Sequence, residues 1–126
     1  MKKVIIASKR PSIRELDDLC REVVRVRDKG CVRCGREAPY KLDWAHFYSR
    51  AIKAVRWDLD NSALLCFNCH GNFAHKQPRE FSEFWRERLG DKAFDALMLR
   101  RNVSKVDRQL VKIYLVQKLR EVKDDI

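Results

Sequence analysis

Four of the five cysteines stand in two C-x-x-C pairs, Cys31/Cys34 and Cys66/Cys69, and the three histidines, His46, His70 and His75, all lie within or just after the segment they bracket. A C-x-x-C turn brings two sulfurs to one point, so two pairs supply the four thiolates of a tetrahedral zinc site. Such a site has no open position for water or substrate, so the expected Zn2+ at Cys31, Cys34, Cys66 and Cys69 is structural. Arg33 and Gly35 flank the first pair, as a tight knuckle requires. With zinc assigned to structure, the histidines become the candidates for chemistry. His46 falls on a candidate strand, and His70 and His75 fall on a helix opened by the second cysteine pair; strand packed on helix would make the three converge.

The elements that must position these groups can be read from apolar spacing. Ser12-Ile13-Arg14-Glu15 is a capping-box pattern, and Ile13, Leu16, Cys20, Val23 and Val24 recur at helical spacing, with Gly30 ending the helix. Cys20 reads as a buried small hydrophobe on that helix. Residues 42–47 and 62–65 suit strands, and the loop between them is basic, carrying Arg50, Lys53 and Arg56 before its first acid, Asp58. A helix follows Cys66 to about Gln77, where Pro78 stops it or starts the next element. Phe81, Phe84, Trp85 and Leu89 form an apolar stripe closed by Gly90. Asp91 is expected to cap a short helix bearing Phe94, Leu97 and Met98. Ser104 and Asp107 open a last helix with Val106, Leu110, Ile113, Tyr114 and Leu115.

The chain of 126 residues, 45% of them apolar, suffices for one core and not two. Its 28 Lys and Arg against 18 Asp and Glu give a formal charge of +10, a field that draws in polyanions, nucleic acid first. Residues 1–11 read as a flexible basic arm, and residues 12–126 as a single domain with a zinc-stapled core (31–78) and C-terminal helices (79–126). No apolar run approaches the roughly 20 residues of a membrane span, and Val4-Ile5-Ile6-Ala7 is too short for a secretory signal. A cytoplasmic protein without membrane association is expected.

The run Cys31-Val32-Arg33-Cys34-Gly35, then Asp43-Trp44-Ala45-His46-Phe47-Tyr48-Ser49-Arg50, Arg56-Trp57-Asp58-Leu59-Asp60-Asn61 and Leu65-Cys66-Phe67-Asn68-Cys69-His70, resembles the four-cysteine HNH endonucleases. It is most similar to the phage NinG/Rap recombination-endonuclease group. The resemblance implies an α+β domain with a treble-clef zinc centre and a ββα-metal active site. Its implied function is hydrolysis of DNA phosphodiester bonds, on branched or recombination-intermediate DNA. It implies His46 as general base, Asn61 as positioner of that base and His70 as ligand of a catalytic Mg2+ or Mn2+. Arg50, Lys53 and Arg56 would then hold phosphates. A symmetric junction would call for a homodimer, with the last helix as candidate contact.

One departure matters. Many HNH enzymes place a metal-binding Asp or His directly before the base, where this chain has Ala45. Asp43 and His75 are the two candidates to replace it. A spacing of five from His70 leaves His75 dependent on a helix end or a local distortion. His70 is also placed to be a zinc ligand or a helix cap, and Asn61 to form a turn after Asp60. Ala45 also keeps open a non-catalytic zinc module that binds nucleic acid, and a protein-interaction zinc domain is the third reading.

Overall fold

In a computed structural model, residues 9–125 are described; the part of the expected basic arm at residues 1–8, and residue 126, lie outside them. The described elements run α1 (Ile13–Asp28), β1 (Leu42–His46), α2 (Lys53–Arg56), β2 (Ser62–Cys66), α3 (Asn68–Ala74), α4 (Pro78–Leu89), α5 (Asp91–Arg100) and α6 (Arg108–Asp124). This is a small α+β domain with six helices among the described residues and one two-stranded sheet.

Helix α1 begins where Ser12 accepts a hydrogen bond from the Glu15 amide at 3.0 Å. The Glu15 carboxylate does not complete the capping box; it pairs with Lys112 of α6 at 2.6 Å. At the other end Lys29, not Gly30, takes the left-handed conformation, with φ 65°. Gly30 is needed for a different reason: a Cβ there would meet Glu37 Cγ at 2.8 Å and the Arg36 carbonyl at 2.9 Å, where the cysteine knuckle folds back on the helix end.

Strands β1 and β2 are antiparallel, with Ala45 opposite Ala63 and His46 opposite Ser62. The sheet separates two helical layers. On one face Ala45, Ala63 and Leu65 pack with the cysteines, Phe73, Phe81, Trp85 and Phe94 from α3, α4 and α5. On the other, Leu64 packs with Leu16, Cys20, Val23 and Val24 of α1, Trp57, and Leu115 of α6. Every residue of β2 is buried, because both faces are covered. Cys20 is fully buried as expected, and burial pushes its thiol up to about 12, which leaves it inert.

The C-terminal half departs from expectation in two local ways. Asp91 is the first residue of α5 and makes no cap; its carboxylate accepts from Arg86 at 3.1 Å. Asp107 alone caps α6, accepting from the Gln109 and Leu110 amides. Val106, Val111 and Leu119 pack toward α1, while Leu110, Ile113 and Tyr114 stay exposed. No helix among the described residues is long and apolar enough to cross a membrane.

Candidate metal centre and histidine cleft

The Sγ atoms of Cys31, Cys34, Cys66 and Cys69 all lie within 4.8 Å of one another, a cluster positioned to bind a metal ion. The knuckle forms because the Gly35 amide reaches the Cys31 carbonyl at 2.8 Å, with Gly35 at φ 83°. The Val32 amide ties it to β2 through the Leu64 carbonyl at 3.0 Å. The second pair closes the end of β2 and enters α3, where the Cys69 amide points at Cys66 Sγ at 3.5 Å. Burial opposes ionisation of Cys31, but backbone hydrogen bonds from Cys34, Cys66 and Arg33 outweigh it and bring the thiol down to about 7. Burial pushes Cys69 up to about 12, although Arg33 Nη1 donates to its sulfur at 3.4 Å. Four thiolates this close repel one another, and a divalent cation is what lets all four ionise. The donor set is compatible with zinc. His70 is not part of it.

The histidines belong to a separate cleft. His46, His70 and His75 line one cleft of about 410 Å³, together with Ser49, Pro78 and Ser82, over a floor that includes Phe47 and Phe81. Helix α3 is π-helical, so its backbone hydrogen bonds span five residues instead of four and its turn is wider. That is the local distortion a spacing of five requires. It brings the His70 and His75 rings to 5.0 Å, edge to face.

His70 Nδ1 lies 3.1 Å from Asp43 Oδ2. Asp43 is on β1, on the same face as Ala45 by strand alternation, and does not itself line the cleft. Ala45 is buried against Ala63 and offers no donor.

His46 Nε2 is 2.9 Å from the Arg56 carbonyl. A carbonyl has no proton to give, so Nε2 carries the hydrogen and Nδ1 is left with its lone pair. Burial lowers the His46 pKa below its ordinary value, and the charges of Arg50 and Arg56 add to this, against the carbonyl bond and Asp17. The ring is therefore neutral at pH 7. Just beyond it, Phe47 anchors the strand end between Phe81, Trp85 and Phe94.

Asn61 is 0% exposed, and its side-chain hydrogen bonds go to backbone, not to the His46 ring. Its side chain accepts from the Tyr48 amide at 2.8 Å and donates to the Tyr48 and Val55 carbonyls at 3.1 and 3.0 Å. It pins the loop that carries the Arg56 carbonyl, so its bearing on His46 runs through backbone.

The three basic loop residues fall into different places. Lys53 is exposed at the start of α2, and the Arg50 side chain is 53% exposed. Arg56 is only 13% exposed; its guanidinium is held by Asp17 at 2.9 and 2.6 Å and by the Arg50 carbonyl at 3.2 Å. Asp17, 7% exposed, was not among the expected site residues. It sits 39 positions before Arg56, and no local motif marks it. A further cleft of about 480 Å³, over Trp57 between α2 and α6, contains no histidine or cysteine, and its Asp58 and Asp60 are both paired with Arg100.

No protein-family model, curated protein or solved structure matches the chain.

Proposed function

We propose that this protein is a metal-dependent endonuclease of the HNH, ββα-metal type, held together by a structural zinc in a treble-clef arrangement and acting on DNA. The observation that carries the reading is that His46 and His70, from the strand and the helix, line one cleft in which the His46 ring has a fixed tautomer.

His46 is the general base: neutral at pH 7, with Nδ1 free to take a proton from the attacking water. Asn61 holds the loop whose carbonyl orients that ring. Arg50 and Lys53, exposed on the segment between the strands, hold the flanking phosphates, while Arg56 serves the loop from within.

A catalytic divalent ion would be held in this cleft by histidine nitrogens, with water completing its shell. Asp43 takes His70 Nδ1 and leaves Nε2 as that ring's ligand atom, an arrangement in which a carboxylate orients a metal-binding imidazole from behind. His75, brought alongside by the π-helical turn, would be the second ligand in place of Ala45. When bound, Mg2+ or Mn2+ would neutralise the phosphate and the leaving oxygen. The basic surface that +10 implies favours DNA over a neutral partner.

The test is nicking of supercoiled plasmid with Mg2+, Mn2+ or EDTA. Cation-dependent nicking by the wild type is expected, reduced about 10²–10⁴-fold in His46→Ala. Salt-sensitive DNA binding without nicking would instead identify a non-catalytic nucleic-acid module.

A further inference from the structure

Asp17 lies on α1, outside the strand–strand–helix unit, yet each of its hydrogen-bond partners belongs to the loop between the strands. Arg56 gives it a two-pronged contact at 2.9 and 2.6 Å, Trp57 Nε1 donates at 2.8 Å and Arg50 Nη2 at 3.3 Å. Arg56 Nη1 then reaches back to the Arg50 carbonyl at 3.2 Å, so one buried carboxylate ties residue 50 to residues 56 and 57. The main chain at the centre of this clamp provides the carbonyl that receives His46 Nε2–H.

Burying a carboxylate with a guanidinium brings a desolvation penalty that its own attraction often fails to recover, and apolar replacements are frequently as stable. A pair of this kind sits awkwardly in a layer otherwise built from Leu16, Cys20, Val23 and Val24. What it provides that an apolar pair cannot is direction. A fork on a carboxylate fixes both the position and the rotation of Arg56, and hence where its carbonyl points.

We infer that Asp17 is a positioning residue for His46: through Arg56 it aims the backbone carbonyl that fixes the imidazole in its Nε2–H form. This rests on the endonuclease reading for its consequence, but the lever itself is a property of the folded chain. Asp17 touches no reacting atom. Its effect belongs in turnover, not in DNA affinity.

The experiment uses the full chain labelled with ¹⁵N-histidine. Imidazole nitrogen shifts report the His46 tautomer directly, alongside plasmid nicking as a function of DNA concentration. In the wild type His46 is expected as the Nε2–H tautomer. In Asp17→Asn, and in Arg56→Lys, which keeps the charge but loses the fork, a mixture of tautomers is expected, with kcat down about 10- to 100-fold and KM little changed. Leu115→Ala, which loosens the same α1–α6 layer without touching the clamp, should keep the wild-type tautomer.

A wild-type His46 in the Nδ1–H form overturns the inference without any variant, whatever the variants' folding. So does a wild-type tautomer in folded Asp17→Asn or Arg56→Lys. If the tautomer mixes as expected but the wild type never nicks DNA, the lever stands and the endonuclease reading falls.

Discussion

The His70 and His75 rings stand 5.0 Å apart although the residues are five positions apart in sequence, because the helix between them is π-helical. An ordinary α-helix would align position 74 with position 70 more closely, and Ala74 is in the core. The wider turn thus lets Cys69, Phe73 and Ala74 face inward while both histidines face the cleft. With His75 as ligand and Asp43 behind His70, His75→Ala should abolish Mn2+ binding in calorimetry. Asp43→Asn should weaken it about 10- to 100-fold. The opposite ranking would make Asp43 the direct ligand.

The cysteine cluster predicts a different response to metal loss. Cys31 and Cys34 hang on β2 by the Val32–Leu64 hydrogen bond, and Cys66 and Cys69 join β2 to α3, so the cation would bridge the knuckle, β2 and the helix that carries His70. Metal analysis should find one zinc per chain. Cys69→Ser, or prolonged chelation at neutral pH, should remove the cooperative thermal transition, because zinc binding is here folding free energy of about 10 kcal/mol or more. Unchanged melting of the metal-free chain would refute a structural ion.

Asn61 holds the loop through three side-chain hydrogen bonds. Asn61→Ala takes the side-chain partner from the part-buried Tyr48 amide and carbonyl and one of two donors from the Val55 carbonyl, which keeps the Asp58 amide, at a cost of about 1–3 kcal/mol in urea unfolding. The strands and the cysteine cluster are held by other bonds, so zinc content should stay at one per chain. A loss below about 0.5 kcal/mol would show that the loop is held elsewhere.

What the sequence made legible was local. The C-x-x-C spacing located both halves of the cysteine cluster, and the stretches suited to strands at 42–47 and 62–65 match strands found at Leu42–His46 and Ser62–Cys66. Helix periods placed α1, α4 and α6. What it hid was pairing over distance. Arg50, Lys53 and Arg56 look alike as three cations in a loop, yet Arg56 is claimed by an aspartate from the first helix. Gly30 looks like a helix terminator, but its role appears only when residues 36 and 37 return against it. Asp43 and His75 could not be separated by spacing, since the π-helical turn and the Asp43–His70 contact both depend on how α3 seats on the sheet.

Asp17 also carries a pH signature. Burial alone would raise its pKa, but hydrogen bonds from Arg56 and Trp57 and the charges of Arg56 and Arg50 outweigh that and hold it below the ordinary carboxylate value. The folded state therefore binds this proton more weakly than the unfolded chain, whose aspartates titrate near about 3.9. The stabilisation is complete above that value and is lost as pH falls through the lower, folded-state pKa. Glu15, Glu22 and Glu121 shift the same way, but their ion pairs are exposed and screened, so they add little. In urea unfolding from pH 7 downward, both chains share the loss of stability that comes from neutral His46 and from the pH-dependent metal site. The Asp17 contribution is therefore read as the gap between wild type and Asp17→Asn, which should be constant above about pH 5 and close below about pH 4. Asp17→Asn should be less stable at pH 7 and show a shallower acid limb, the two curves converging at the acid end. Curves that stay parallel throughout would mean that Asp17 titrates alike in both states, and that the grip of Arg56 on it is no stronger than water's.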